Sequence, residues 1–351
     1  MAMLSEIDPV DPQWAEILER NRHDCYHTAE YLTLMALQEP NAMVKALLYQ
    51  EASIEIFLPI LVRPLPECLG GLDAGNDFMV PYGYGGPIGS GLDKPELFHR
   101  WVSTLGEWAV NNNIHTGFLR WHPLLPIPME QDTRHLSLLG ATVAVELTGF
   151  QGEVDAAARP THRSEIRWLL RNGYSVVWDD WDRYEDFRRL YAATMARLGA
   201  SSSYRYSSEY FQEMRCRLGG MLHLGVVICP TGQVAAAALF TECDGIVQYS
   251  LSASDESMRK KSPTKLLVAA ARGWAKSRGN QWLHLGGGLG AQRDKLFQFK
   301  AGFSETETPF AISKLVFNQH EYDVLCRRAT ENAHRDTDAN RFPAYRAILG
   351  D

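Results

Sequence analysis

The chain has 351 residues, of which 45% are hydrophobic, and its 35 Lys and Arg against 42 Asp and Glu give a formal net charge of −7. This composition is typical of a folded globular protein and excludes intrinsic disorder and collagen. At about 100–200 residues per domain, the length predicts two domains. The acidic balance argues against a protein that coats nucleic acid through bulk charge, although a local basic patch can still bind one phosphate-bearing ligand.

No part of the sequence approaches the ~18 uninterrupted apolar residues of a membrane helix. Even the most apolar run, residues 54–62, contains Glu55 and Pro59. The N-terminus carries Glu6 and Asp8 and lacks the pattern of a secretory signal. The cysteines are scattered and show no CxxC spacing, so we expect neither a metal site nor a disulfide framework. The expected location is the cytoplasm.

The first half of the chain predicts a hairpin at residues 44–50 and 54–62, followed by a strand, a helix and a strand. The second half repeats that order. The matching segments are the second hairpin at 222–229 and 234–240, strand 78–84 with 246–252, helix 95–111 with 263–277, and strand 116–121 with 281–285. Both helices contain Trp-Ala, at Trp108 and Trp274. So long a period predicts two domains of one fold; the alternative is a chance likeness of two α+β halves.

A stretch rich in Ala, Gly and Pro at 149–161 predicts the boundary, so the expected domains are 1–150 and 151–351, the latter with a C-terminal helix and tail. Each is expected to be α+β, a mixed and mostly antiparallel sheet flanked by helices. The second domain opens with three further predicted elements, which are helix 165–171 with a left-handed cap at Asn172-Gly173, strand 174–178 and helix 184–198.

A glycine-rich loop follows strand 281–285 and contains Gly286, Gly287, Gly288 and Gly290. Such glycines let a backbone approach a ligand closely or adopt a positive φ. The spacing is not that of a dinucleotide fingerprint, and the sequence contains no P-loop, GxSxG or HExxH motif. Those nucleotide-binding, hydrolase and metalloprotease families are therefore not supported.

Two groups of cations are candidate anion sites. Lys300 stands between Phe299 and Ala301-Gly302, and in a water-poor groove it would bind phosphate or carboxylate as a point charge. The alternative is a solvated lysine at a helix end. The other group, residues 259–261, precedes Ser262 as the expected N-cap of helix 263–277, where the helix dipole favours anions. A solvated run of charge is the alternative there.

His284 alternates with Leu283 and Leu285 along a strand. It is a candidate general base or, more commonly for such a position, a hydrogen-bonded strand histidine. Three arginines spaced four residues apart would line one helical face, which is either a phosphate-binding face or a solvated one. They are Arg163, Arg167 and Arg171.

Together these segments resemble the FemABX family of aminoacyl transferases and the related FemAB-like acyltransferases of the GNAT superfamily. The resemblance covers most of residues 20–325 and is carried by the segments 163–176, 249–254, Lys-Ser-Pro-Thr at 261–264, Leu-Gly-Gly-Gly at 285–288 and Phe-Lys-Ala-Gly-Phe-Ser at 299–304. It implies two tandem GNAT-like domains, the first on the acceptor side and the second on the donor side. It also implies that Lys300, with Phe299 beside it, contacts donor phosphate near the reacting ester.

Residues 259–264 lack the glycines of an acetyltransferase pyrophosphate loop, which favours aminoacyl-tRNA over acetyl-CoA. The resemblance then implies an amide-forming transferase that moves an aminoacyl group from the acceptor end of aminoacyl-tRNA to an amine, either a small molecule or a cell-envelope or glycan precursor. One alternative is an acyl-CoA-dependent N-acyltransferase of an amino sugar or amine. Another is a non-catalytic tandem-GNAT protein that binds a nucleotide-linked sugar. No cofactor is expected beyond the co-substrate.

The residues expected at the site form three groups, and backbone N–H groups near 249–251 or 286–288 are expected to stabilise an oxyanion. The catalytic group is Lys300, Phe299, His284 and Asp294, with Asp255 as a further candidate base. The donor-binding group is Arg259, Lys260, Lys261, Ser262, Thr264, Tyr249, Leu251, Gly286, Gly287 and Gly288. The acceptor-binding group is Tyr82, Tyr84, Arg163, Arg167, Tyr204 and Tyr206.

Overall fold

The computed structural model describes residues 2–39, 41–128, 135–148, 158–201, 204–333 and 341–347. The chain divides into two compact units. Unit 1 comprises Met1–Leu139 and Phe310–Asp351, and unit 2 comprises Gly140–Pro309.

The described residues contain both helices and strands in each unit. The helices are α1 (Pro12–Arg20), α2 (Ala29–Ala36), α3 (Pro95–Asn111), α4 (Pro160–Arg171), α5 (Tyr184–Leu198), α6 (Ser208–Leu218), α7 (Pro263–Ser277), α8 (Lys295–Lys300) and α9 (Gln319–Ala333). The strands are β1 (Met3–Ile7), β2 (Met43–Glu51), β3 (Ile54–Pro64), β4 (Asn76–Met79), β5 (Ile88–Gly89), β6 (Ile114–Arg120), β7 (Ser137–Glu146), β8 (Ser175–Trp178), β9 (Leu222–Ile228), β10 (Val234–Cys243), β11 (Ile246–Ser254), β12 (Trp282–Gly286) and β13 (Glu307–Val316).

The sheet of unit 1 has the order β1-β2-β3-β4-β6, and residues 312–316 of β13 pair antiparallel with β6. The strands β2 and β3 form the predicted hairpin. The strands β4 and β6 run parallel, and α3 connects them. The apolar face of α3 packs on this sheet through Leu97, Phe98, Trp101, Leu105 and Ala109.

The sheet of unit 2 has the order β7-β12-β11-β10-β9-β8. The strand β10 is antiparallel to both β9 and β11, whereas β11 and β12 run parallel and are connected by α7. The side chains of Leu266 and Leu267 on α7 join Val247, Leu283 and Leu285 in one core. Since each unit contains hairpin, strand, helix and parallel strand in the same order, the predicted repeat of an α+β fold is confirmed.

The limits of α3, α5 and α7 are those predicted, and Gly173 has the predicted left-handed conformation with φ +78°. Several strand bounds differ by one to three residues, and two bounds differ by five. The strand predicted at 78–84 ends at Met79, because the chain turns into a glycine-rich loop. The helix predicted from residue 165 begins at Pro160, which supplies a first helical position that needs no N–H donor.

The observed division differs from the predicted domains 1–150 and 151–351, because Phe310–Asp351 belongs to unit 1. There Leu325 and Ala329 of α9 share a small core with Leu65 and Leu69. Residues 149–157 of the predicted boundary, and 334–340 and 348–351 of the predicted tail, lie outside the described residues. Among the helices that are described, none combines the length and the apolar character needed to cross a lipid bilayer.

Candidate active site

The parallel strands β11 and β12 stay together over only part of their length. They pair from Ile246 opposite Trp282 to Gln248 opposite His284. Beyond that level β11 continues to Ser254 alongside β10, and β12 pairs with β7. The two strands therefore part at their carboxyl ends, which is where ligands commonly bind between strands of open α/β sheets.

A β-bulge shapes the β11 side of this gap. Leu239 lies opposite Leu251 and Phe240 lies opposite Tyr249, so Ser250 is an extra residue in β11. A bulge releases backbone groups from the ladder and re-aims side chains. The Tyr249 ring packs 5.5 Å from that of Phe240, and burial raises the pKa of Tyr249 to about 12. The predicted donor residues Tyr249 and Leu251 thus flank a backbone irregularity beside the gap.

His284 is fully buried at the last level at which the two strands pair. Its Nδ1 lies 2.7 Å from Oε1 of Gln248, and its Nε2 lies 2.8 Å from Oγ1 of Thr142. The hydroxyl of Thr142 lies 2.7 Å from that of Thr308. Because both ring nitrogens are hydrogen-bonded and shielded from solvent, this geometry favours a hydrogen-bonded strand histidine over the predicted general base.

The glycine-rich loop after β12 is closely packed. A Cβ at Gly288 would lie 2.1 Å from the carbonyl oxygen of Gln292 and 2.4 Å from Oδ1 of Asp294. Gly286 and Gly290 have positive φ values of +77° and +56°, which only glycine adopts without penalty. The loop therefore needs glycine for its own conformation, whether or not a ligand approaches it.

Asp294 is the N-cap of α8. Its Oδ1 accepts a hydrogen bond from the N–H of Phe297 at 2.9 Å, and its Oδ2 accepts one from the N–H of Leu289 at 3.2 Å. These donors hold the pKa of the carboxyl below its usual value. Asp255 likewise accepts from the N–H and hydroxyl of Ser257, at 2.9 and 2.5 Å. Both predicted bases are thus engaged in fixing loops.

Lys300 is the last residue of α8, and its Nζ donates a 2.7 Å hydrogen bond to the carbonyl oxygen of Gly287, directly after β12. The side chain is half-buried. Burial lowers the pKa of Lys300 to about 8, and the charge of Asp294 opposes that shift. The ammonium therefore lies at the carboxyl end of β12, the end at which β12 has parted from β11. A partly desolvated cation attracts an anion more strongly than one in water.

The turn that carries Lys300 packs on His162 of α4, which motif reasoning missed. The rings of Phe299 and Phe303 lie 5.8 and 4.7 Å from the His162 ring. The fit is close at Gly302, where a Cβ would lie 2.1 Å from Cε1 of His162. The glycine of the Phe-Lys-Ala-Gly-Phe segment is therefore the residue that admits the histidine.

His162 is fully buried, and neither of its ring nitrogens has a hydrogen-bond partner among the described residues. Burial lowers the pKa of His162 to about 4, with further lowering from the charges of Lys265 and Arg159. The ring is therefore neutral at physiological pH. Pro160 was the available signal, because a helix begun there places His162 in its first turn and on its buried side.

The predicted cation cluster lies before α7 as a short 3₁₀ turn, Arg259–Lys261, with exposed side chains. Ser262 occupies the N-cap position, but its φ is +54° and its hydroxyl makes no cap hydrogen bond. Thr264 lies half-buried in the first turn of α7. The N-terminus of α7 is thus flanked by cations and is not capped by the predicted serine.

Two of the predicted acceptor residues lie in unit 1. Tyr82 is 50% exposed, and its carbonyl oxygen accepts a 2.6 Å hydrogen bond from the hydroxyl of Tyr31. The ring of Tyr84 packs edge-on against Tyr26 at 5.8 Å and His122 at 6.1 Å. Tyr82 is therefore accessible to a ligand, whereas Tyr84 belongs to a packed aromatic cluster.

The other four predicted acceptor residues lie in unit 2, on two separate parts of the chain. Arg163 and Arg167 are on α4, and Tyr204 and Tyr206 are between α5 and α6. The carbonyl oxygen of Tyr204 accepts a 3.0 Å hydrogen bond from the hydroxyl of Tyr191. The structure therefore does not gather these four residues on one element.

Tyr206 lines a cavity of about 390 Å³ between α5 and α6. Three arginines, Arg188, Arg189 and Arg205, line the same cavity together with the carboxylate of Glu185. Two of them are paired, Arg188 with Glu185 at 2.9 Å and Arg189 with Asp186 at 3.5 Å. Arg205 forms no ion pair with a described carboxylate, so it is the cation of this partly apolar pocket that suits a small molecule with an anionic group.

Residues 156–296 match the family described as Acetyltransferase (GNAT) domain. A crystal structure of FemX is similar to this chain, with a TM-score of 0.69 and 13% sequence identity, and the match covers 91% of this chain and 99% of that chain. Residues 156–296 of unit 2 are therefore similar to a GNAT acetyltransferase domain. The resemblance to FemABX proteins is confirmed at the level of the fold.

Two further structures share the fold. The C-terminal domain (DUF2156) of a putative lysylphosphatidylglycerol synthetase from Agrobacterium fabrum has a TM-score of 0.53 and 16% identity, over 91% of this chain and 95% of that chain. The L-PGS of Bacillus licheniformis has a TM-score of 0.54 and 12% identity, over 89% of this chain and 93% of that chain. No curated protein sequence matches this chain.

Proposed function

Because residues 156–296 match a GNAT acetyltransferase domain and the chain has a FemX-like fold, we propose that the protein transfers an aminoacyl group from aminoacyl-tRNA to an amine, forming an amide. The observation that carries this proposal is the position of Lys300. Its half-buried ammonium is held by Gly287 at the carboxyl end of β12, beside the gap between β11 and β12. A donor ester entering that gap brings its phosphate-bearing end toward a cation.

Two observations support an aminoacyl-tRNA donor over acyl-CoA. The segment before α7 contains three exposed cations and no glycine, so it lacks the close-fitting backbone loop that suits a pyrophosphate. One fold neighbour is named a putative lysylphosphatidylglycerol synthetase, a name that denotes an aminoacyl-bearing product. No cofactor enters the proposal, since the co-substrate supplies the activated ester.

The proposed reaction balances without an added reagent. The lone pair of the amine attacks the ester carbonyl carbon, the amide C–N bond forms, the ester C–O bond breaks, and the amine proton ends on the leaving ribose hydroxyl. In this proposal, backbone N–H groups near the Ser250 bulge donate to the oxyanion, and the break in the ladder there supports the choice. Since His284 and Asp294 are otherwise engaged, solvent or substrate groups carry the proton, and the protein contributes positioning and charge.

The proposed acceptor is a small molecule or a glycan precursor that bears both an amine and an anionic group. The cavity between α5 and α6 supports this choice through Arg205, the lining arginine that no described carboxylate neutralises. Among acceptors of equal size, those with a carboxylate or phosphate are therefore expected to react best.

The test offers the full chain radiolabelled aminoacyl-tRNA and radiolabelled acetyl-CoA in parallel, each with a panel of amines that includes amino sugars and nucleotide-linked amino sugars. We expect label from aminoacyl-tRNA in a product that survives mild base, as an amide does and an ester does not. Transfer from CoA alone would replace the proposal with the acyl-CoA alternative. Binding of a nucleotide-linked sugar with no transfer from either donor would replace it with the binding-protein alternative.

A further inference from the structure

An exposed tryptophan on α4 lies beside the cations that precede α7. Trp168 is 42% exposed, and the Nζ of Lys261 lies 5.6 Å above the centroid of its ring. An open aromatic face offers a ring on which a base can stack, and a cation above the ring adds an electrostatic attraction. Here the two residues come from separate elements that pack together through Ile166 and Leu266.

Four cations lie on the two chain segments that form this contact. Arg259, Lys260 and Lys261 are exposed before α7, and Arg171 is exposed on α4. None of the four forms an ion pair with a carboxylate in the described part of the chain. Six other arginines of unit 2 do form ion pairs with carboxylates. They are Arg183, Arg188, Arg189, Arg217, Arg278 and Arg293. We call Trp168 and the four unpaired cations the α4–α7 platform.

The platform is connected to the turn that carries Lys300. At the start of α4 the N–H of Arg159 donates a 2.8 Å hydrogen bond to the carbonyl oxygen of Gly302, and His162 packs on the same turn. From His162 to Trp168 the helix rises about 9 Å. That is the length of roughly two to three stacked nucleotides.

We propose that the α4–α7 platform binds the unpaired nucleotides leading to the acylated end of the RNA donor. The four cations contact successive phosphates, and one base stacks on Trp168 while the Lys261 ammonium moves from the ring to a phosphate. Stacking on an exposed aromatic ring between cations is how proteins hold single strands without reading their sequence. The identity of the donor rests on the proposed function, but the chemistry of the surface does not.

An anionic membrane is the competing partner for a basic surface with a tryptophan. Membrane-binding surfaces bury a continuous apolar face that carries several large side chains. The platform offers one aromatic ring among four cations, and the helical neighbours of Trp168 include Ser164, Arg171 and Glu165, which is paired with Lys265. The other large apolar side chain exposed on α4, Leu170, is two residues from Trp168 and therefore does not share its face. The balance of charge over apolar area therefore favours a polynucleotide.

The test measures binding of a fluorescent, non-acylated single-stranded oligoribonucleotide to the full chain, and in parallel binding to vesicles of phosphatidylglycerol. We expect RNA binding that Trp168→Ala weakens about five- to hundredfold, the loss of one base–aromatic stack, and that Trp168→Phe largely retains. Lys261→Ala should weaken binding and reduce the salt dependence by about 0.7 in the log–log slope. The matched control Lys276→Ala, exposed at the other end of α7, should leave both unchanged.

RNA binding that is unaffected by Trp168→Ala, or binding to vesicles but not to RNA, would overturn the inference. Its failure can be told from that of the proposed function. If aminoacyl transfer occurs and Trp168→Ala leaves the KM for aminoacyl-tRNA unchanged, the platform is wrong and the function stands. If RNA binds through Trp168 but no aminoacyl group is transferred, the proposed function is wrong and the platform stands.

Discussion

The parallel strand pairs of the two units end differently. In unit 1, β4 stays paired with β6 along its whole length, and the N–H of Val80 still donates to the carbonyl oxygen of Phe118 at 2.9 Å beyond it. In unit 2 the corresponding pairing stops at Gln248, and β11 continues with β10 alone. The same arrangement of hairpin, helix and parallel strand is thus closed in one unit and open in the other.

The loop after each strand accounts for the difference. In unit 1 the glycine-rich loop packs back on its surroundings, since a Cβ at Gly86 would lie 2.9 Å from the carbonyl oxygen of Arg120 and one at Gly83 would lie 2.3 Å from Tyr26. In unit 2 no such loop follows Gln248, and Lys300 lies at the end of the partner strand. A repeated fold therefore keeps a usable gap only where its own chain does not fill it.

The largest expected effect tests whether the closed strand pair of unit 1, β4 and β6, serves to stabilise the fold. Asp77, at the start of that pair, is fully buried and accepts hydrogen bonds from Arg63 at 2.8 Å and Tyr345 at 3.1 Å, and it also pairs with Arg346. Asp77→Ala leaves Arg63 buried without its closest carboxylate, so the free energy of unfolding should fall by about 3–5 kcal/mol. Chemical denaturation measures this fall.

The same variant should not change how the remaining folded protein binds donor. Its KM for aminoacyl-tRNA, measured at low temperature where Asp77→Ala is folded, is expected to equal that of the wild type. A raised KM in folded protein would mean that unit 1 also takes part in donor binding, and the comparison of a closed with an open pair would then lose its functional meaning.

The next effect concerns the open pair of unit 2. Lys300→Ala removes the cation beside the gap, and kcat/KM for aminoacyl-tRNA should fall about 10²- to 10³-fold, as on removal of one charge-stabilising group. Lys295→Ala, an exposed lysine at the first position of the same helix, is the matched control and should change kcat/KM less than twofold. Equal losses in the two variants would show that general charge, and not the position of Lys300, matters.

A smaller effect tests the support beneath Lys300. Gly302→Ala should destabilise the protein by about 1–3 kcal/mol, because the new methyl group collides with the His162 ring. In a His162→Ala background the same change should cost less, with a coupling of about 0.5–3 kcal/mol in a double-mutant cycle of unfolding free energies. Additive losses would show that the two residues do not share one packing site.

Much of the fold could be predicted from local signals. Apolar residues at helical spacing and a proline in the first turn mark α3 and α7, and the Trp-Ala repeat in both helices indicated two copies of one fold. The gap between β11 and β12 could not be predicted, because where Gln248 leaves its partner depends on the ladders that β10 and β7 offer. The apolar pattern of a strand is the same whether the strand stays paired with its neighbour or separates from it.

The candidate site was predicted only where a motif stands in one stretch of sequence. Lys300 and Phe299 belong to such a motif, and Lys300 lies where the gap opens while Phe299 packs on His162. His162 does not, because its burial depends on Gly302, a residue far away in sequence. Asp294 was predicted as a base from its type, but its role as the cap of α8 depends on N–H groups that exist only in the folded loop.

The smallest expected effect is a pH dependence that belongs to the open pair alone. The pKa of Lys300 is lowered to about 8, so the ammonium that attracts phosphate is largely present at pH 7 and is lost as the pH rises through about 8. Between pH 7 and 9 the charged fraction falls from roughly 0.9 to 0.1, and the Kd for a non-acylated RNA donor should rise, by at most about tenfold. A binding measurement avoids the base-catalysed hydrolysis of the ester, which would distort a measurement of turnover.

The control is Lys300→Arg, which stays charged over this pH range and should bind the RNA without that rise in Kd. If RNA affinity increased through pH 8 in the wild type, Lys300 would act in its neutral form, and the gap of unit 2 would need a chemistry other than the anchoring of phosphate.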